Sequence, residues 1–185
     1  LVVLLGITAR HRRRARAGTA RPARGDEPVS LRVARVLVAG PLFLGTALHL
    51  VRPGWMAFAS VDLPVAARWL GVGLMVAAVP ASWWVLRHLG KNVTETVLVA
   101  GGSRLVTTGP YLRVRHPLYT CSLLLWSGVS LSAANLLLGA FTILYAGMLV
   151  GLVIPREEVA LLEEHGEAFE RYREGSGRLL PRVRR

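Results

Sequence analysis

Residues 136–154 read LLLGAFTILYAGMLVGLVI, a run with no charged side chain. As a helix rising ~1.5 Å per residue it covers about 28 Å, close to the ~30 Å hydrocarbon core of a bilayer. Working backward, Ser132-Ala133-Ala134-Asn135 is a turn, and before it 118–131 read LYTCSLLLWSGVSL. That run reaches only about 21 Å and is short for a span. With the turn it predicts a helical hairpin over 118–154. Further back, 69–86 read WLGVGLMVAAVPASWWVL without a charge, and 33–51 read VARVLVAGPLFLGTALHLV with Arg35 near the start. These lengths predict an all-α, polytopic integral membrane helix bundle with four visible spans.

Composition agrees. The 185 residues are 52% hydrophobic and 18% charged, with a mean hydropathy of +0.43. Ordinary globular domains carry roughly 45–50% apolar and about 25% charged residues. The apolar content excludes disorder. Cys121 is the single cysteine, which excludes a disulfide scaffold and a cysteine-built zinc site.

The formal charge of +12 would suit nucleic acid if it were gathered on one soluble face. Instead it alternates between the apolar runs. Of the 23 Lys and Arg residues, nine lie in 10–35, five in 87–117 and seven in 155–185. The connection 52–68 holds only Arg52 and Arg68, and the turn 132–135 holds none. The positive-inside rule makes the rich face cytoplasmic and leaves no need for nucleic acid. Residues 1–9, LVVLLGITA, are too short to span. The basic run Arg10-His11-Arg12-Arg13-Arg14 follows them, whereas a secretory signal places its charges first. They read as the inner end of a truncated first helix, leading into a linker-like RPARGDEP at 21–28. The predicted organisation is a helix remnant and basic linker over 1–32, two transmembrane helices over 33–86, and a catalytic region over 87–185 that ends in a short C-terminal helix.

Two stretches carry chemistry. The loop 87–117 ends in Gly109-Pro110-Tyr111-Leu112-Arg113-Val114-Arg115-His116-Pro117-Leu118-Tyr119. Pro117 suits the first position of a helix, where its missing N–H costs nothing. That puts His116 at the N-cap and Tyr119 in the first turn. The helix N-terminus, with Arg113 and Arg115 beside it, forms an anion-receptive corner. The alternative is a basic membrane anchor with an aromatic belt residue.

The tail holds seven of the eleven acidic residues, between Glu157 and Glu174. Read as one helix, Glu158, Leu162, His165, Phe169 and Tyr172 share a face with Leu161 at its edge, Glu157 flanks it, and Glu163, Glu164, Glu167 and Glu170 point outward. A carboxylate this close to a membrane exit is costly unless paired. Glu157 or Glu158 therefore has a functional role or forms a salt bridge to Arg115 or Arg113; one residue can do both.

Other residues read as structural. Cys121 is a small side chain facing core or lipid, His49 is interfacial, and His88 is a minor contact at an inner boundary. Trp55, Trp69, Trp83 and Trp84 are interfacial anchors. Gly40 with Gly45, or Gly71 with Gly73, would let helices pack closely. Gly101-Gly102 lacks the GxGxxG spacing and a preceding strand, so no Rossmann site is expected. No metal site is expected either.

The elements Leu89-Gly90-Lys91-Asn92, Leu105-Val106-Thr107-Thr108-Gly109-Pro110-Tyr111, Arg115-His116-Pro117-x-Tyr119, Glu157-Glu158 with Leu162, Gly166 and Tyr172, and a late Pro181 together resemble the isoprenylcysteine carboxyl methyltransferases and their bacterial relatives. Phospholipid N-methyltransferases are similar in the same parts. The resemblance covers about residues 85–181. It implies an S-adenosylmethionine-dependent membrane methyltransferase whose isoprenoid-like, prenylated or other lipid-linked acceptor enters from the bilayer, with O-methylation of a carboxylate as the leading reaction. It implies cofactor contacts at Arg115, His116, Pro117, Tyr119, Glu157, Glu158 and Tyr172, with Arg171 or Arg173 beside Tyr172, and catalytic roles for Glu158 and Arg115. Arg115 suits the cofactor's carboxylate and a glutamate its cationic groups. An amine acceptor would need a base, and Glu158 is the candidate.

Phe169 departs from the pattern, because the family tail often carries a tyrosine there. High Arg, Ala, Val and Leu usage with a single lysine points to a GC-rich bacterial genome. With the apolar runs and the basic cytoplasmic face, the expectation is a bacterial inner-membrane protein with a cytoplasmic site. The other readings are a phospholipid N-methyltransferase, a sterol-reductase-like NADPH enzyme, and a non-catalytic scaffold that binds anionic lipid.

Overall fold

The computed structural model describes residues 28–89 and 105–182. The expected helix remnant at 1–9, the basic run at 10–14, linker residues 21–27, Gly90-Lys91-Asn92 and Gly101-Gly102 lie outside the described residues. Within them the chain is all-α, with no strand and two isolated bridges.

Helix α1 covers Val29–Val51 and α2 covers Val65–Leu89. Helix α3 covers Pro117–Ala133 and α4 covers Leu136–Met148. A π turn at Leu149–Val153 leads into α5, Ile154–His165, and α6 is Glu167–Gly175. Among the described residues, three helical stretches are long and apolar enough to cross a membrane: α1, α2 and the continuous Leu136–His165. With its 17 residues, α3 is about 26 Å long and stays below that length, as its apolar run predicts. The π turn has a local cause. Pro155 has no N–H to give, and its ring would crowd the carbonyl four residues back, so the helix widens just before it.

The described residues fall into two compact units. One comprises 28–78 and 121–152. Here α1 packs along α4 through a face spaced three and four residues apart: Leu42, Gly45 and Thr46 are all buried. A β-carbon on Gly45 would lie 2.9 Å from Leu138 Cδ2, so the Leu138 methyl packs directly on the glycine. Helices α2 and α3 meet even more closely. A β-carbon on Gly71 would lie 2.7 Å from the Gly128 carbonyl oxygen, and one on Gly128 would lie 2.6 Å from that of Gly71. Backbone thus lies on backbone, the small-residue contact used where lipid supplies no hydrophobic drive. Gly40 and Gly73, the other expected packing glycines, have open space instead.

The hairpin turn is held by Asn135. Its Oδ1 accepts from the Leu138 N–H at 3.2 Å, capping α4, and its Nδ2 donates to the Met56 carbonyl at 3.0 Å. Trp126 meets the edge of Phe43 at 4.8 Å, and Cys121 is buried. Many large apolar side chains on α1, α2 and α4 face outward, including Val36, Leu44, Val76 and Ile143. A surface of that kind is suited to lipid.

The second unit comprises the described residues 79–89, 105–120 and 153–182. It carries the candidate site.

Candidate active site

Three short pieces of chain build the site. The first is the start of α3. Pro117 opens the helix, and the His116 carbonyl accepts from the Tyr119 and Thr120 amides at 3.1 and 3.3 Å. The helix therefore begins where the proline predicts. Ahead of it a single 3-10 turn, Gly109–Leu112, packs on the end of α2. Gly109 has φ +61°, and a β-carbon there would lie 2.3 Å from the His88 ring. His88 is thus the wall of this turn.

The second piece is α5, which carries Glu157 and Glu158 one turn after the apolar run ends. The third is α6 with the strand-like segment after it. One tail helix was expected over this region, but the structure has two. Gly166 takes φ +51° and ends α5 by giving its N–H to the Leu162 carbonyl at 2.8 Å; its own carbonyl then starts α6 by accepting from the Phe169 N–H at 3.0 Å. The predicted face survives the break. Glu158 and Phe169 are buried, Leu162, His165 and Tyr172 are half-buried, and Glu163, Glu164, Glu167 and Glu170 are exposed.

After α6 the chain runs alongside 113–116 as a strap. Arg115 donates its N–H to the Gly177 carbonyl at 2.8 Å, His116 to the Arg178 carbonyl at 3.0 Å, and Gly177 to the Arg113 carbonyl at 2.9 Å. Thr120 Oγ1 donates to the Leu179 carbonyl at 2.6 Å. A β-carbon on Gly177 would lie 1.9 Å from the Leu180 oxygen, so glycine is required there.

These pieces bring together an ion cluster. Arg115 Nε donates to Glu158 Oε1 at 2.9 Å, with 8% of either side chain exposed. Arg115 Nη1 donates to the carbonyls of Arg173, at 3.0 Å, and Ser176, so the guanidinium also caps α6. Arg178 forks onto Glu158 Oε2 through Nε at 3.2 Å and Nη2 at 2.9 Å. On the other side of the cluster, Tyr119 OH donates to Glu157 Oε1, and His116 Nδ1 lies 3.3 Å from Glu157 Oε2. The His116 and Tyr119 rings stack at 5.8 Å and 18°. His116 Nε2 lies 3.6 Å from Glu158 Oε1, beyond hydrogen-bond reach, and is buried without a hydrogen-bond partner.

Burial alone pulls the His116 pKa down, but the contact with Glu157 and the negative charges of Glu157 and Glu158 outweigh it, and the net displacement is upward from 6.5. Burial pushes the Tyr172 hydroxyl up to about 12. That hydroxyl donates to the Tyr111 carbonyl at 2.6 Å and so ties α6 to the 3-10 turn.

Residues 70–163 match the model of the isoprenylcysteine carboxyl methyltransferase (ICMT) family. The chain belongs to the isoprenylcysteine carboxyl methyltransferase family. The matched segment takes in the start of α3 and both glutamates of α5. A curated relative is the nickel-cobalt-cadmium resistance protein NccN of Alcaligenes xylosoxydans xylosoxydans, 31% identical over 125 residues, which are 66% of this chain and 54% of that protein. The chain spans about half the length of the relative it matches.

Of the residues the ICMT resemblance singles out, Arg115, His116, Tyr119, Glu157 and Glu158 form one cluster. Pro117 is buried at its edge. Tyr172 stands beside the cluster as a strut. Arg113, Arg171 and Arg173 present exposed side chains. The salt bridge between Glu158 and Arg115, one of two readings open from sequence, is formed. Two members were missed. They are Arg178, whose guanidinium grips Glu158, and Ser176, whose carbonyl accepts from Arg115. The available signal was physical: a glutamate buried under one arginine still has a second oxygen to satisfy.

Proposed function

We propose that this chain is an S-adenosylmethionine-dependent membrane methyltransferase acting on an isoprenoid-like or lipid-linked acceptor, with a carboxylate as the methyl-accepting group. One observation carries the reading. Within the family-matched segment, His116 and Tyr119 fold onto Glu157, 41 and 38 residues downstream.

The residues present fit such a cofactor. His116 Nε2 is a buried nitrogen lacking a hydrogen-bond partner, and the Glu157 side chain keeps 19% of its surface exposed. Together with the stacked His116 and Tyr119 rings, they offer a cation-accepting carboxylate, a polar nitrogen and an aromatic face. S-adenosylmethionine supplies, when bound, a methyl group activated on a cationic sulfonium. His116, Tyr119 and Glu157 are the residues we assign to holding it, with Pro117 shaping the corner and Tyr172 bracing the tail over it. Glu158 and Arg115 neutralise one another, and in this reading they keep the first group in place.

That pairing bears on the acceptor. A carboxylate is already ionised at neutral pH and needs no base, so positioning it for in-line attack is most of the task. An amine must lose a proton first. Glu158, held by two arginines, is a poor proton acceptor, which favours carboxyl O-methylation over phospholipid N-methylation. The basic flanks of the apolar helices favour a cytoplasmic site at a bacterial inner membrane. The relative's name points to metal resistance, but among the described residues no group of three or more His, Cys, Asp and Glu side chains could hold a metal ion.

The test is transfer of a labelled methyl group by the purified protein in lipid nanodiscs. A farnesylated cysteine carboxylate is offered beside phosphatidylethanolamine. Label in the base-labile ester of the former is the expected result. Label in the phospholipid amine would replace the carboxylate with the N-methyl reading, and label in neither would contradict both.

A further inference from the structure

We infer that Arg178 is a positioning residue of this site that acts on His116 through Glu158. The inference deepens the methyltransferase reading and rests on it for its consequence in turnover.

The Glu158 carboxylate is divided between two sides. Oε2 takes the fork of Arg178 at 3.2 and 2.9 Å, and Oε1 takes Arg115 Nε at 2.9 Å. Oε1 also faces His116 Nε2 from 3.6 Å, just too far for a hydrogen bond. A small rotation of the carboxylate would close that gap. Arg115 on Oε1 and the Arg178 fork on Oε2 hold the carboxylate against that rotation, and Nε2 stays without a partner. The two arginines are not equivalent. Arg115 has 8% of its side chain exposed and also caps α6, whereas Arg178 is 50% exposed and, among the described residues, its side chain bonds to Glu158. Removing Arg178 therefore releases the carboxylate with little loss of packing.

The strap fixes where Arg178 stands. Its carbonyl accepts the N–H of His116 itself, and the next carbonyl accepts from Thr120 Oγ1. The backbone of Arg178 thus holds His116 directly, and its side chain holds the glutamate that faces the ring. The charged and titratable groups around His116 come from every neighbouring element: Tyr119 from α3, Glu157 and Glu158 from α5, Arg115 before α3, and Arg178 from the strap. Tyr172 of α6 turns its hydroxyl away to the Tyr111 and Val114 carbonyls. With Arg178 present, Glu158 is kept off the imidazole and Nε2 remains open to a ligand. Without it, Glu158 closes on Nε2 and holds the imidazolium proton still more tightly.

The experiment is an NMR titration of the His116 imidazole in ligand-free, detergent-solubilised protein, with the resonance assigned by its absence in His116→Gln. Arg178→Gln is expected to move the His116 midpoint to higher pH. The same substitution made in Glu158→Gln is expected to leave the midpoint where Glu158→Gln alone puts it, because the route runs through that carboxylate. Arg178→Lys keeps the charge but loses the fork, gives a smaller upward movement, and decides the question if the glutamine variant does not fold. An unmoved midpoint in Arg178→Gln, or an equal movement in both backgrounds, overturns the inference. A merely structural strap would lower the melting temperature without moving the midpoint. No cofactor is present, so this result is independent of the methyl-transfer assay: each can fail without the other.

Discussion

His116 is a buried ring between two carboxylates, and its neighbours decide its charge. Because its folded pKa is raised, the proton is held more tightly in the folded protein than in the unfolded chain. The stability it contributes is fully present below about pH 6.5, the ordinary histidine value, and is lost as pH rises through the higher folded value. The melting temperature in detergent should therefore fall as pH is raised across that window. His116→Gln should flatten this dependence, and an unchanged slope in the variant would show that other groups govern it. The fourfold connection of Arg115, to Glu158, Arg173, Ser176 and the strap backbone, explains why one arginine immediately before the helix matters to three pieces of chain. Its identity was legible in the motif. Its partners on α6 were not, because a guanidinium capping a helix through backbone carbonyls leaves no residue-type signature.

Among elements, the apolar helices were the most legible part of the fold. The run 33–51 lies within Val29–Val51, and 69–86 lies within Val65–Leu89. The real helices are longer because hydropathy marks only the hydrocarbon-crossing part, while Arg32, Arg68, Arg87 and His88 remain helical where their ends meet water. The break at Gly166 was not legible. A half-polar tail keeps its inward face through two helices, so periodicity alone cannot place the turn. Nor was the partner of Gly71 legible, since one glycine in an apolar helix looks like another until the crossing brings Gly128 onto it. That crossing makes a prediction for α2 and α3. Gly128→Val puts a side chain into the Gly71 backbone and should destabilise the protein by about 1–3 kcal/mol, the usual cost of overpacking. Gly73→Val, with open space around it, serves as the matched control. Equal melting temperatures for the two variants would remove the crossing from the account.

For the whole molecule, an apolar helical frame and a compact ion cluster divide the work. The frame supplies long helices with outward-facing Val, Leu and Ile side chains, which commit the chain to a membrane. The cluster is assembled from the start of α3, the start of α5 and the strap, separate pieces of the chain. The first two lie within the family-matched segment 70–163, and the strap lies beyond it. The measurement that tests the central claim most directly is calorimetric titration of the detergent-purified protein with S-adenosylmethionine, beside His116→Ala and with NADPH as a control. The account predicts saturable binding of S-adenosylmethionine, weakened at least about tenfold, or ~1.4 kcal/mol, in a folded His116→Ala, and no binding of NADPH. Binding that is equally tight in the variant, or saturable binding of NADPH alone, would contradict it.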